Sequence, residues 1–301
     1  MTASTYLRRL TAGASVLAVL TTAACASGAT GTSGGQVRAG SAGPSRAPAP
    51  AIPGRLVWSD EFTGRAGMPP DARYWTTALG SGGNGWGSGQ LQTYTASPAN
   101  LALDGSGHLK LTARHGAVTG SDGITQQFSS ARISTAGRVE PQYGTVEARL
   151  QLPSGAGLWP AFWLLGANFP EVGWPLSGEV DIMETHDEAH RVFSYLHYPS
   201  PGSPNGSVTG QRLLRGTAVA PGWHTYTLTW TADAMVIRID GKVCLDAELR
   251  QLPAGAGAVF DKPFSILLNL AVGGTYPAPV DASTPFPSTL LVDYVRVYAP
   301  R

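Results

Sequence analysis

Apolar and polar positions alternate with a period of two in many short segments of this chain. Arg55 to Phe62, Gly107 to Ala113, Ser130 to Ser134, Gly144 to Leu152, Val192 to Tyr198, Trp223 to Trp230, Met235 to Asp240 and Leu290 to Tyr298 all read this way. Such alternation predicts half-buried strands, with successive side chains on opposite faces. Phe264 to Val272 is nearly all apolar, so it predicts a strand buried on both faces, with Asn269 as its main polar residue. Asp240-Gly241, between Met235–Asp240 and Lys242–Leu245, is a hairpin signal. No long stretch has helical periodicity, and 38 glycines and 23 prolines supply the turns of an all-β domain.

One segment breaks the alternation. Ser177 to Glu184 reads Ser-Gly-Glu-Val-Asp-Ile-Met-Glu. Val180, Ile182 and Met183 make it a strand, and in a strand Glu179 and Asp181 share a face. Glu184 lies at an odd offset from both, so a regular strand would send it to the other face. One extra residue, a β-bulge at Met183 or a neighbour, would return it to the face of Glu179 and Asp181. A solvent-facing acidic strand needs no bulge, but like charges stacked on one face repel. Two carboxylates flanking a sugar bond are what glycoside hydrolysis requires.

Composition narrows the partners. Lys plus Arg number 21 and Asp plus Glu 20, a net charge of +1, so neither nucleic acid nor an anionic membrane is the expected electrostatic partner. A neutral ligand fits better. Residues 1–25 read as an export signal: Arg8 and Arg9 precede an apolar run from Leu10 to Leu20 that is too short to span a bilayer. Thr22-Ala23-Ala24-Cys25 resembles a lipoprotein cleavage box, which would lipidate Cys25 and hold the protein at the outer face of a cell membrane. Cleavage after Ala26 is the alternative and would release it. Residues 26–54, rich in Gly, Ser, Ala and Pro, read as a disordered linker, leaving residues 55–301 as the folded domain. Cys25 and Cys244 are the only cysteines, so no disulfide framework is expected, and Cys244 reads as a buried, inert thiol.

Other stretches carry weaker signals. The glycine-rich run Gly80 to Gly89, with Asn84 and Trp86, is not read as a dinucleotide loop, because extended Leu91 to Thr95 follows it rather than a helix. It suits either a ligand-touching rim or a plain loop. In Gly157 to Gly166, Trp159, Ala161 and Trp163 share one face, while Phe162 and Leu164 share the other as core. The tryptophans would be core of a second layer or platforms for sugar rings. His186 and His190 lack the His-Glu-x-x-His order of a zinc site. Pro199 to Gly210 reads as a loop.

Taken with their order, these motifs resemble glycoside hydrolase family 16, in particular its laminarinase-like branch, over about residues 55 to 299. They are Glu179-Val-Asp181-Ile-Met-Glu184, Trp159-Pro-Ala-Phe-Trp163, Tyr143-Gly-Thr-Val-Glu-Ala-Arg149, Trp223-His-Thr-Tyr226, Leu268-Asn269-Leu-Ala-Val-Gly-Gly274 and Val292-Asp-Tyr-Val-Arg-Val-Tyr298. The resemblance implies a jelly-roll β-sandwich of two antiparallel sheets with a concave substrate cleft. It implies Glu179 as nucleophile, Glu184 as acid/base and Asp181 as helper between them, in a retaining endo-β-1,3-glucanase that needs no cofactor for catalysis. It further implies that Trp159, Trp163, Trp174, His197, Arg132, Asn269, Asn84 and Trp86 bind substrate. A structural calcium at Glu61, Gly107 and Asp293, the first two through backbone carbonyls, is implied as well, with an ordinary acid in the final strand as the other reading of Asp293. One departure bears on the substrate. Laminarinase-like members commonly read Trp-Gly-Asn-Asn-Glu-Leu-Gln where this chain has Trp86-Gly-Ser-Gly-Gln-Leu-Gln92. Mixed-linkage glucan, galactan, transfer to a sugar acceptor and a non-catalytic glucan-binding protein are therefore alternatives. A monomer is expected.

Overall fold

The computed structural model describes residues 54–83, 85–185, 191–199, 209–211, 217–253 and 255–301. The leader, nearly all of the linker, Asn84, His186, His190 and most of the Pro199–Gly210 loop lie outside the described residues.

The chain forms a sandwich of two sheets. In the first, Lys242–Glu248, Ala234–Ile239, Trp223–Trp230, Gly144–Gln151, Ser288–Tyr298, Leu109–Thr119, Thr125–Ser130 and Gln92–Tyr94 lie side by side. Leu56–Asp60 adds to Ser288–Tyr298, and Leu101–Leu103 to Leu109–Thr119. The second sheet runs Thr209–Gln211, Arg191–Pro199, Glu179–Glu184, Leu158–Gly166, Phe264–Val272, Arg132–Ser134, Thr76–Thr77, with Thr217–Ala218 beside Arg191–Pro199. Strands distant in sequence are neighbours in both sheets, the crossing connectivity of a jelly roll. One pair departs from the antiparallel expectation, Gln92–Tyr94 running parallel to Thr125–Ser130.

The alternation read from the sequence explains the layers. Phe162, Leu164, Val180, Ile182, Leu196, Leu268 and Leu270 from the second sheet meet Leu109, Leu111, Val146, Leu150, Tyr226, Leu228 and Val295 from the first in one buried cluster. Each such side chain contributes ~1.5–3 kcal/mol. That burial fixes register, because a one-residue slip would turn every core residue outward. Asp240 (φ 49°) and Gly241 (φ 77°) both adopt the left-handed conformation that a two-residue hairpin requires. Elements too short for periodicity escape a sequence reading, among them the one-turn helix Phe169–Val172 and the strand Thr209–Gln211.

Candidate active site

The site lies on the outer face of the second sheet, and the bulge creates it. Opposite Leu158–Gly166, Asp181 pairs with Trp163 but Met183 pairs with Phe162, so Ile182 is the extra residue. Opposite Arg191–Pro199, Asp181 pairs with Tyr195 and Glu184 with Phe193, again one residue too many on the carboxylate strand. Ile182 and Met183, adjacent in sequence, are both fully buried in the core. Without the bulge one of them would face out and Glu184 would enter the core uncompensated, at a cost of several kcal/mol. Gly178, at φ 73°, turns the chain into this strand, and a Cβ there would press on Val259 and Phe264.

Cross-strand register supplies the neighbours. Glu179 pairs with His197, and Nε2 of His197 lies 2.9 Å from Asp181 Oδ2 and 3.7 Å from Glu179 Oε1. The closer approach is off the ring N–H direction, so Asp181 Oδ2 is buried without a hydrogen bond, and Nδ1 on the other side of the ring is buried without one as well. Asp181, implied as the helper between the glutamates, thus shares His197 with Glu179. Ligand-type atoms of Glu179, Asp181 and His197 lie within 4.8 Å of one another, a set that also has metal-binding chemistry. Tyr195 stacks on His197 with ring centroids 5.8 Å apart. The sequence reading missed Tyr195, although the alternation of Phe193, Tyr195 and His197 would have placed it on this face.

Burial dominates the electrostatics. Desolvation, reinforced by Asp181, pushes the Glu184 carboxyl up to about 8, against a hydrogen bond from Trp159. Desolvation also raises Asp181 to about 8. Glu179 is raised well above the carboxylate range by desolvation and Asp181, while His197 and Arg132 oppose the rise. Three acids this close cannot all ionise near neutrality, so the cluster holds protons that an acid catalyst can deliver.

The tryptophans divide by role. Trp159 is only 7 % exposed; its Nε1–H donates to Glu184 Oε1 at 2.9 Å and its ring meets Tyr276 edge-on at 5.4 Å. Its polar edge therefore holds the acid, a use the sequence did not reveal. Trp163 donates to Asn269 Oδ1 at 2.8 Å, which satisfies this buried amide oxygen. Between Trp163 and Trp86 lies the Arg132 guanidinium, 4.8 and 5.0 Å from the two ring centroids. Such a stack holds a cation without spending its hydrogen-bond donors. Trp86 sits in a single irregular turn, Gly85–Gly89, at φ 57°. Trp174, 45 % exposed and 5.8 Å from His197 between ring centroids, presents an open platform at the rim. Asn84 alone of the expected binding residues lies outside the described ones.

Of the residues implied for calcium, two have side chains paired with arginines. Glu61 accepts two hydrogen bonds from Arg296, at 2.9 and 2.8 Å, and Asp293 pairs with Arg149 at 2.6 Å. Both pairs engage side-chain oxygens only: the expected ligand atoms of Glu61 and Gly107 are backbone carbonyls, which calcium accepts, so Asp293 is the one implied ligand whose carboxylate a guanidinium already neutralises.

A sandwich whose outer face carries clustered, proton-holding carboxylates among tryptophans defines a polysaccharide-cleaving class of enzyme. Residues 89–294 match the model for Glycosyl hydrolases family 16. Beta-glucanase from Rhodothermus marinus is 36% identical over 81% of this chain and 84% of its own length. Glucan endo-1,3-beta-glucosidase A1 from Niallia circulans is 33% identical over 83% of this chain, which spans only 38% of that protein. The structure of endo-beta-1,3-glucanase from Pyrococcus furiosus is similar with a TM-score of 0.72 and 39% identity, covering 81% of this chain and 94% of that one. The chain belongs to glycoside hydrolase family 16, and it is a glycoside hydrolase.

Proposed function

We propose that this protein is a retaining endo-β-1,3-glucanase in which Glu179 is the nucleophile and Glu184 the acid/base. The observation that carries the reading is the bulge, which puts both glutamates on one face beside Asp181 and His197. The substrate assignment draws on the names of the relatives that the chain resembles.

Glu179, ionised because Glu184 keeps the proton the crowded pair shares and His197 and Arg132 favour its charge, attacks the anomeric carbon as Glu184 gives that proton to the departing glycosidic oxygen. Burial keeps that proton on Glu184 at neutral pH, and Trp159 aims the carboxyl. The attack leaves a glycosyl ester on Glu179. Glu184, now ionised, takes a proton from water as the water attacks the anomeric carbon, freeing the sugar and restoring both groups. His197 and Arg132 offset the charge on Glu179 between turnovers. Asp181 sets how much of that positive charge reaches Glu179 through His197. Trp174 stacks on a sugar ring at the rim, and Arg132 and Asn269 contact sugar hydroxyls. The protein acts as a monomer, exported by residues 1–25 and tethered by residues 26–54, through a lipidated Cys25 when cleavage falls there.

Loop chemistry favours a second reading of specificity. Ser88 O accepts from Thr275 N and Oγ1, at 2.9 and 2.7 Å, and Gln90 Oε1 accepts from Gln92 Nε2 and the Tyr94 hydroxyl, at 2.9 and 3.1 Å. A loop tied inward in this way offers substrate fewer polar groups, which would widen acceptance to mixed-linkage glucan or galactan. Release of reducing ends from a panel of β-1,3-glucan, mixed-linkage glucan and galactan tests the assignment. Fastest cleavage of the β-1,3-glucan is expected; faster cleavage of galactan would overturn it.

A further inference from the structure

Away from the carboxylates, a surface groove of about 650 Å³ runs between Leu109–Thr119, Thr125–Ser130 and the connection Val280–Pro287. It adjoins a second hollow of about 380 Å³, and Arg114 and His115 line both. This is the size range of sites that hold small ligands, ~300–1,000 Å³.

Its lining has a definite chemistry. Phe128 and Phe286 stack with centroids 5.2 Å apart, and the His115 ring lies 5.3 Å from the first and 6.2 Å from the second. The three rings thus form one compact cluster, with exposed His115 over Phe128 and Phe286, which are half-buried against the core. Exposed Arg114 and Asp281 provide opposite charges beside it. Asp281 is ionised, its carboxylate fixed by the backbone N–H and hydroxyl of Ser283 at 2.7 and 2.6 Å. The ion-paired arginines among the described residues are Arg73, Arg149, Arg250 and Arg296, so the Arg114 guanidinium keeps its donors.

We infer that this groove is a second, non-catalytic binding site for a neutral polysaccharide, the same β-glucan chain that the carboxylates cleave. This rests on the proposed function. Sugar rings have apolar C–H faces that suit an aromatic cluster and hydroxyls that pair with a guanidinium and a carboxylate. One positive and one negative charge match an uncharged polymer better than an anionic one, and a groove open at the surface suits a chain passing through. The groove is also rigidly joined to the active sheet. Phe128 pairs with Gln92, whose Oε1 accepts from Val272 N at 2.7 Å, and Ser130 Oγ donates to Leu270 O at 2.5 Å. Polymer held there stays on a surface fixed relative to the strand that carries Asn269.

The test uses the full chain with Arg114→Ala and His115→Ala combined, both at exposed positions, and separately Phe128→Leu with Phe286→Leu, which keeps bulk but removes the rings. Retention on insoluble β-1,3-glucan is measured in a Glu179→Gln background, where no cleavage confuses binding, and kcat/KM on a short soluble β-1,3-oligosaccharide in the active background. Both doubles are expected to lower retention at least fivefold while oligosaccharide kcat/KM stays within twofold. Unchanged retention, or a parallel fall on the oligosaccharide, overturns the groove. If the unaltered protein cleaves the oligosaccharide yet retention does not respond, the groove fails and the hydrolase reading stands. If it cleaves none but is retained through the groove residues, the glucanase reading fails and the groove stands. No retention by any form overturns the groove.

Discussion

Ser288–Tyr298 and Glu179–Glu184 each carry a bulge and an acid, and they use them differently. Ser288–Tyr298 shifts register between Val292 and Tyr294, leaving Asp293 at the irregularity, and there the acid meets Arg149. On the adjoining strand edge Glu61 is held by Arg296, whose hydrogen bonds lower its carboxyl below the ordinary range. Glu179–Glu184 uses the same backbone device to the opposite end. Its three acids are crowded and buried, and they share one histidine and a more distant arginine. A bulge re-aims a side chain in both places. What separates structure from chemistry is whether each acid has been given its own cation.

The sharpest way to break this comparison is Glu179→Gln. It is expected to lower kcat by at least ~10³-fold while leaving oligosaccharide binding, because the side chain serves bond formation. Near-normal turnover would remove Glu179 from the chemistry. Glu184→Gln should cost ~10²–10⁴-fold and abolish the alkaline limb of the pH profile, which in the unaltered enzyme should fall near pH 8.

The same substitution should stabilise the fold. The folded Glu184 carboxyl is held up to about 8, whereas in an unfolded chain it titrates near ~4.3. The folded state therefore binds more protons between those values, and stability is full below the lower one and lost as pH rises through the upper. Glu184→Gln should thus gain stability over the unaltered protein at pH 8 by about 4 kcal/mol and by about 1 kcal/mol at pH 5, read from denaturant midpoints. Equal effects at both pH values would show that the acid is not strained by burial.

Trp159→Phe removes one hydrogen bond to Glu184. Since that bond holds the carboxyl down, the alkaline limb should move to higher pH, with kcat falling about tenfold. Smallest of all is Glu61→Gln on the structural side. Its Arg296 pair is 42% exposed at the carboxylate, so the loss should be below about 1 kcal/mol, vanishing in acid as Glu61 protonates. A large loss there would blur the contrast between the two strands.

Much of this was legible in the sequence because burial enforces a period of two. The odd offset of Glu184 announced the bulge, and the Trp-Pro-Ala-Phe-Trp alternation announced which face was core. What stayed hidden depends on which strand lies beside which. His197 reaches Asp181 only because Arg191–Pro199 pairs with the carboxylate strand in one register, and no local pattern states that register. Periodicity gave Trp159 only its face and left core and sugar platform open until the family resemblance favoured the platform, while the N–H that holds Glu184 is a matter of geometry. The parallel pair Gln92–Tyr94 with Thr125–Ser130 was equally invisible, being set by the path of the chain between them.

The anomeric form of the first product tests the retaining arrangement most directly. With β-1,3-gluco-oligosaccharide as substrate and NMR recording the new reducing end before it mutarotates, the β-anomer should form first and decay to the equilibrium mixture. Initial release of the α-anomer would contradict the assignment of Glu179 as nucleophile and Glu184 as acid/base on one bulged strand.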